Sequence, residues 1–227
     1  MANRSYLYST SNRPESYEDR PDTISGLSEW PYAVPFSYRV LMSGDPRLCA
    51  SLISDGFEDD APGQRTPLYA ISGEFATGHA RLAKFCAALR SAGADAPRLL
   101  GAIDETLTFL DAHRDRYLLL ETIELDTMVE SEADALRACV EREIGLCQEA
   151  GAAVDALPDD PEAAGAVLAK AAAEKADGPL APFHGLVLDD DFDNTRDRKT
   201  AHPVGLSWWT EVLYFDLWNK ARFAANA

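Results

Sequence analysis

Short apolar runs in the first 125 residues predict strands. Residues 6–8 lie between polar residues, and residues 68–72 form a second apolar run, so each predicts a short strand. Residues 117–120 are apolar on both faces, which predicts a central strand that is covered on both sides. Ile123 and Leu125 alternate with acidic residues, so we expect this strand to continue with one face in water. Together these runs predict a small sheet.

Large apolar residues elsewhere in this part recur at steps of three and four, which is the spacing of one helical face. Proline at the start and glycine at the end of these patterns are typical helix boundaries. The predicted helices run from Pro35 to about Met42, from Pro46, from Glu74 to Gly93 and from Pro97. The segment from Ser9 to Trp30 is rich in Pro, Asp, Ser and Arg, which predicts a loop.

The second half of the chain is mostly helical in pattern. An apolar stripe begins after Ser131 and reaches Val154, with carboxylates on the opposite face. Residues 162–176 are rich in alanine and hold few large apolar side chains, which predicts a surface helix. Residues 186–188 predict one more strand. In residues 206–218 the apolar spacing fits both a helix and a strand.

These elements predict an α+β fold that is rich in helix and has a small mixed or antiparallel sheet. At 227 residues the chain is long enough to bury a full core, so we expect one globular domain over residues 1–227. Two lobes are the alternative: a nearly neutral α+β lobe at 1–125 and an acidic helical lobe at 126–200. In both cases the aromatic segment 201–227 is expected to close the core.

Negative charge is concentrated in one part of the chain. Residues 121–197 hold 20 acidic and 5 basic side chains, a net charge of −15, whereas the whole protein has −17. Such a concentration favours a surface that meets a basic protein, or one that keeps the protein soluble by self-repulsion. The residues expected to face a partner are Glu130, Glu132, Asp134, Glu141, Asp159, Asp160, Asp189, Asp190, Asp191 and Asp193.

The same charge argues against other partners. Nucleic acids and anionic membranes are bound through Lys and Arg, and the sequence pI is about 4.5. No apolar run approaches a membrane span, and the N-terminus lacks the apolar segment of a secretory signal. We therefore expect a cytoplasmic protein that binds neither nucleic acid nor membrane.

Motifs that carry chemistry are incomplete. His113-Arg114-Asp115 matches the start of a protein-kinase catalytic loop, but Leu120 occupies the position of the required Asn. The alternating oxygen ligands that begin at Asp189 match a calcium loop, but Asn194 replaces its glycine and Thr200 replaces its glutamate. Nucleophile elbows, phosphate-binding loops and zinc signatures are missing from the sequence. We therefore expect no catalytic residue, metal or cofactor.

The N-terminal sequence carries a resemblance. The opening MANRSYLY, with residues 24–30 and 41–46, resembles a family of uncharacterised bacterial cytoplasmic proteins over about the first 90 residues. In composition and size the chain is similar to immunity proteins of polymorphic toxin systems. That second resemblance implies a cognate toxin domain as partner.

Three functional hypotheses follow. The first is a stoichiometric binding protein, an immunity protein that neutralises a toxin by covering its basic active site with an acidic surface. The second is a small hydrolase or transferase with a site among His184, Asp189 to Asp193 and His202. The third is a globular protein whose acidity only keeps it soluble.

Overall fold

A computed structural model describes residues 3–60, 65–93, 97–191 and 201–226. Its centre is a five-stranded antiparallel sheet with the strand order β2-β1-β5-β4-β3. The strands are β1 (Arg4–Thr10), β2 (Ile24–Pro31), β3 (Arg47–Ala50), β4 (Tyr69–Glu74) and β5 (Tyr117–Glu121). A separate pair, β6 (Leu186–Val187) and β7 (His202–Pro203), is parallel. The predicted α+β class is confirmed.

The middle strand β5 is buried on both faces, as its apolar run predicts. Leu118 and Leu120 belong to the main hydrophobic core, whereas Leu119, between them, belongs to a second cluster on the other face. Successive side chains of a strand point to opposite faces, so a central strand between two apolar layers needs a continuous apolar run.

Helices cover the main-core face of the sheet. They are α1 (Phe36–Met42), α2 (Phe75–Ala92), α3 (Pro97–Ala112), the short α4 (Ile123–Asp126), α5 (Ala133–Asp155) and α6 (Pro161–Ala173), with a 3₁₀ helix at Gly178–Phe183. The C-terminal helix α7 (Lys220–Asn226) has no buried residue, and its Lys220 amide donates to the Pro21 carbonyl (2.8 Å). Apolar residues from Leu7 to Leu206 share the main core. The main core therefore contains residues from both the nearly neutral part, 1–125, and the acidic part, 126–200.

The alanine-rich helix α6 has one packed face, although the sequence predicts a surface helix. Its residues Ala164, Gly165 and Leu168 are buried, and a Cβ at Gly165 would lie only 2.7 Å from the Cβ of Ser91 on α2. Small side chains let two helix backbones approach closely, so this face needs few large apolar residues.

Residues 204–217 form neither a helix nor a regular strand. They run along the edge strand β2, where the Thr210 amide donates to the Leu27 carbonyl (2.9 Å) and Trp209 forms a bridge with Ser28. Leu213 joins the second apolar cluster, and the Tyr8 hydroxyl donates to the Phe215 carbonyl (2.8 Å). This segment covers the otherwise unpaired sheet edge and closes the second face.

Three sequence predictions are wrong in detail. The helix expected from Pro46 is strand β3, because Leu48 pairs with Ile71 of β4. Ile123 and Leu125 lie in helix α4 and do not extend β5. The loop expected between Ser9 and Trp30 contains β2, whose pairing with β1 is long-range and leaves only a weak local pattern.

Candidate protein-binding surface

Several of the carboxylates predicted to face a partner already have a cation as neighbour. Glu141 accepts a hydrogen bond from the Arg137 guanidinium four residues earlier (2.8 Å). Asp159 accepts one from the Lys84 ammonium of α2 (3.1 Å). These pairs are exposed and contribute little to stability, but they reduce the charge that is available to a partner.

Two other predicted partner residues hold the backbone. Asp160 is the N-cap of α6 and accepts a hydrogen bond from the Ala163 amide (2.9 Å). Asp190 accepts from the amides of Gly205 (2.9 Å) and Leu206 (3.0 Å), and burial raises the pKa of its carboxyl group. The structure thus gives both carboxylates a role within the fold.

The remaining predicted partner residues near Asp190 are Asp189, Asp191 and Asp193. Asp189 is exposed and accepts from the Asp191 amide (3.1 Å), and both residues line a small pocket with Arg98 at the start of α3. Asp193 lies outside the described residues.

The predicted partner residues at the start of α5 differ from these in their surroundings. Glu130, Glu132 and Asp134 are all exposed, and none of them forms an ion pair within the described part of the chain. The three carboxylates lie within five consecutive residues at a helix N-terminus. Negative charge is favoured there by the helix dipole, so the fold itself tolerates this cluster.

Exposed apolar side chains lie directly beside these carboxylates. Met128 and Val129, in the connection between α4 and α5, are 55% and 71% exposed. Single exposed apolar residues are common on protein surfaces, but an adjacent pair flanked by unneutralised charge is more specific.

A third exposed apolar residue lies at the same end of the sheet. Tyr32 is 65% exposed, and its amide donates to the Asn3 carbonyl (2.8 Å). Arg4, which follows Asn3 and is the first residue of β1, donates its amide to the Glu124 carboxylate of α4 (3.0 Å). Tyr32 and α4 therefore flank the same strand end.

These residues form what we name the α4–α5 surface. Its members are Tyr32, Met128, Val129, Glu130, Glu132 and Asp134. The three carboxylates were predicted from the sequence, whereas the three apolar residues were not. The only sequence signal for the latter is the adjacent pair Met128 and Val129 within a polar, acidic segment.

A half-buried carboxyl group lies at the base of this surface. Asp126 accepts a hydrogen bond from the Thr122 hydroxyl (2.7 Å) and lines a pocket of about 230 Å³ with Arg142 and Glu143. Burial raises the pKa of Asp126 to about 6. The charge next to the α4–α5 surface therefore changes in the mildly acidic pH range.

The residues of the enzyme hypothesis occupy two separate pockets. His184 and His202 line a pocket of about 430 Å³ with Arg39 and Glu149. Burial, together with the nearby charges of Arg39 and His184, lowers the pKa of His202. Asp189 to Asp191 line the other pocket, so the described residues do not bring the aspartates and histidines into one site. Residues 192–200 lie outside the described ranges.

Metal binding has no support in the part of the chain that the structure describes. No group of three or more His, Cys, Asp or Glu side chains there is arranged to hold an ion. The calcium-loop pattern that begins at Asp189 continues into residues outside the described ranges. Across the described residues, no helix combines the length and the apolar character that a membrane span requires.

The fold and this surface define an α+β protein with a candidate protein-binding face. A family model described as a domain of unknown function, DUF7822, matches residues 11–171. The chain belongs to this family. The match includes most of the sheet, helices α1 to α5 and the α4–α5 surface. No curated protein and no solved structure has significant similarity to the chain.

Proposed function

We propose that this protein is a stoichiometric protein-binding protein that holds a basic partner at the α4–α5 surface. The observation that carries the proposal is that three carboxylates without a cationic neighbour in the described part of the chain adjoin the exposed side chains of Met128 and Val129. Glu141 and Asp159 have cationic neighbours, whereas Glu130, Glu132 and Asp134 have none among the described residues.

The composition of the surface supports a protein as the ligand. Protein interfaces combine an apolar centre with a polar rim, and charges at the rim guide association and reject partners of like charge. Met128, Val129 and Tyr32 provide the apolar contact, and the carboxylates provide the rim. A surface that served only solubility would need the charges but not the exposed apolar side chains.

The finer proposal is an immunity protein, with a cognate toxin domain as its partner. A toxin that cleaves nucleic acid needs a basic cleft to attract phosphate, and acidic side chains can cover such a cleft. A surface with three unneutralised carboxylates and an apolar pair is suited to this role. The supporting features are the charge and the exposure of the α4–α5 surface.

A pull-down with a charge-reversed variant tests the proposal. The variant is Glu130→Lys, Glu132→Lys and Asp134→Lys, and its control is Glu58→Lys, Glu162→Lys and Glu174→Lys, which makes the same change of charge at exposed residues elsewhere. All six residues are exposed, and none has an ion-pair partner among the described residues. Both variants should fold, which circular dichroism verifies.

We expect the wild type and the control to retain the same basic protein from a lysate of the source organism, and the charge-reversed variant to lose it. Met128→Ser with Val129→Ser should also lose it, because these changes remove the apolar contact and keep the charge. For the finer proposal, co-expression with a toxin-like neighbouring gene product should restore growth only with the wild type and the control. Equal retention by all variants would refute the assignment of this surface.

A further inference from the structure

A groove of about 1000 Å³ lies between α3 and the segment that follows β7. Its lining includes Gly101, Glu105 and Phe109 of α3 and the adjacent Trp208 and Trp209. No residue of the α4–α5 surface lines it, so it is a separate site. The proposed function makes no use of this groove.

One wall of the groove is an exposed indole. Trp208 is 55% exposed and has a φ of 66°, in the left-handed region that bulky residues rarely adopt. Its ring packs against Trp30 at a centroid distance of 4.6 Å, and its carbonyl accepts from the Ser28 hydroxyl (2.9 Å). The fold therefore holds a large aromatic side chain in place while leaving much of it accessible.

The opposite wall is open because of a glycine. Gly101 lies inside the 16-residue helix α3, and a Cβ built on it would meet nothing within 4 Å. Glycine is unfavourable in a helix interior, and no neighbour here requires its small size. A larger residue at this position would narrow the groove and leave the packing of the core unchanged.

The charge around the groove is mainly negative. Glu105 is exposed and has no ion-pair partner among the described residues, while Asp104 pairs with Arg90. An adjoining pocket of about 300 Å³ shares Arg98 with the groove and adds the three aspartates at positions 189–191. Among the described residues, Arg98 is the one guanidinium in the lining of the two pockets, which also holds His113 and five carboxyl groups. Two of these carboxyl groups are already engaged, because Asp104 pairs with Arg90 and Asp190 accepts from two backbone amides.

The histidine of the groove is already engaged. The two ring nitrogens of His113 lie 2.8 Å from the Phe109 carbonyl and 2.6 Å from the Glu211 carboxylate. Its ring also stacks on Phe109 at a centroid distance of 4.1 Å. His113 therefore supports the aromatic wall, and Glu105 is the carboxylate of α3 that has no ion-pair partner among the described residues.

We propose that this groove binds an organic cation of the quaternary ammonium type. The face of an indole attracts a cation, and the attraction is strongest for Trp among the aromatic side chains. Carboxylates nearby add a charge preference, and the apolar walls accommodate methyl groups. The carboxylates would repel an anionic ligand. They would add nothing to the affinity for a neutral apolar ligand.

Choline and its uncharged isostere 3,3-dimethylbutan-1-ol test the proposal directly. Both are titrated into the full-length protein while tryptophan fluorescence and NMR chemical shifts are followed. We expect choline to bind with a millimolar or lower Kd and the neutral isostere to bind roughly tenfold more weakly. Equal binding of the two, or no binding of choline up to about 50 mM, would overturn the proposal.

Substitutions locate the site. Gly101→Leu should abolish choline binding, because the side chain projects into the groove and narrows it opposite Trp208. Gly145→Leu is the matched control: Gly145 also lies inside a helix, its Cβ would also meet nothing within 4 Å, and it is outside the groove. Glu105→Gln should weaken choline binding several-fold and leave binding of the isostere unchanged. Normal choline binding by Gly101→Leu would place the site elsewhere and refute the assignment.

Discussion

Gly78→Ala is expected to destabilise the protein strongly. Gly78 lies on α2 where this helix crosses α1, and a Cβ there would lie 2.6 Å from the carbonyl carbon of Leu41, with the carbonyl oxygen closer still. Ordinary contacts of this kind are at least 3.4 Å long, so the two backbones must separate by 0.8 Å or more. The obstacle is backbone, and no side chain can rotate away from it.

The size of the effect follows from two opposing contributions. Alanine gains about 1 kcal/mol over glycine from helix propensity. Forcing extra volume into a packed core costs about 1–3 kcal/mol and occasionally more, and α1 cannot move freely because Leu41 and Met42 are fully buried. Since the obstacle is a backbone carbonyl, we expect a cost at or above the top of that range and a net loss of about 2–3 kcal/mol.

Urea denaturation followed by circular dichroism measures this loss, and Gly145→Ala provides the control. A Cβ at Gly145 meets nothing within 4 Å, so the same chemical change should stabilise the protein by up to about 1 kcal/mol. In thermal melts the two variants should differ by roughly 4–16 °C for a chain of this size. If Gly78→Ala were as stable as the wild type, the close crossing of α1 and α2 would be wrong.

Two further predictions concern buried carboxyl groups. Glu121 is fully buried and accepts from the Leu52 amide (2.7 Å) and the Ser51 hydroxyl (2.8 Å), and burial raises its pKa from 4.5 to about 7. Between pH 4.5 and pH 7 the folded state therefore binds a proton at Glu121 more tightly than the unfolded state does. Protonated Glu121 stabilises the fold at low pH, and this stabilisation, up to about 3 kcal/mol, is lost as the pH rises towards 7. Glu121→Gln should remove that dependence, and identical stability profiles from pH 4 to 8 for variant and wild type would contradict it. Asp190→Ala should cost about 1–3 kcal/mol in urea denaturation because two amides lose their acceptor, whereas Asp190→Asn should cost less; equal losses would argue against these hydrogen bonds.

The parts of the fold that follow from local pattern could be predicted from the sequence. Strand β5 has an apolar run on both faces, and α2 has a regular apolar stripe with a glycine at its end. Strand β2 could not be predicted, because it depends on pairing with β1 and on covering by the C-terminal segment. At Gly26 a Cβ would collide with the backbone of Glu211, a constraint set by residues far away in sequence.

The acidic surface, too, could be predicted only in part from the sequence. The charge of residues 121–197 is visible in the sequence, but the carboxylates that stay unpaired are decided by distant cations. Arg81 of α2 pairs with Asp155 at the end of α5 (2.6 Å), and Lys84 pairs with Asp159. Only the folded arrangement shows that the start of α5 has no such neighbour among the described residues. Composition therefore predicts an acidic face, and tertiary structure decides which of its carboxylates have a cationic neighbour.

The most direct test of the central claim is the Kd of the recovered basic partner, measured by calorimetry at two salt concentrations. We predict one-to-one binding by the wild type, with an affinity that falls as salt rises. Reversing Glu130, Glu132 and Asp134 should weaken binding by about 3 kcal/mol, roughly 150-fold at low salt, if each reversal costs about 1 kcal/mol. The control reversal of Glu58, Glu162 and Glu174 should bind like the wild type. An affinity that is equal in all three proteins, or that does not depend on salt, would contradict the proposed role of the α4–α5 surface.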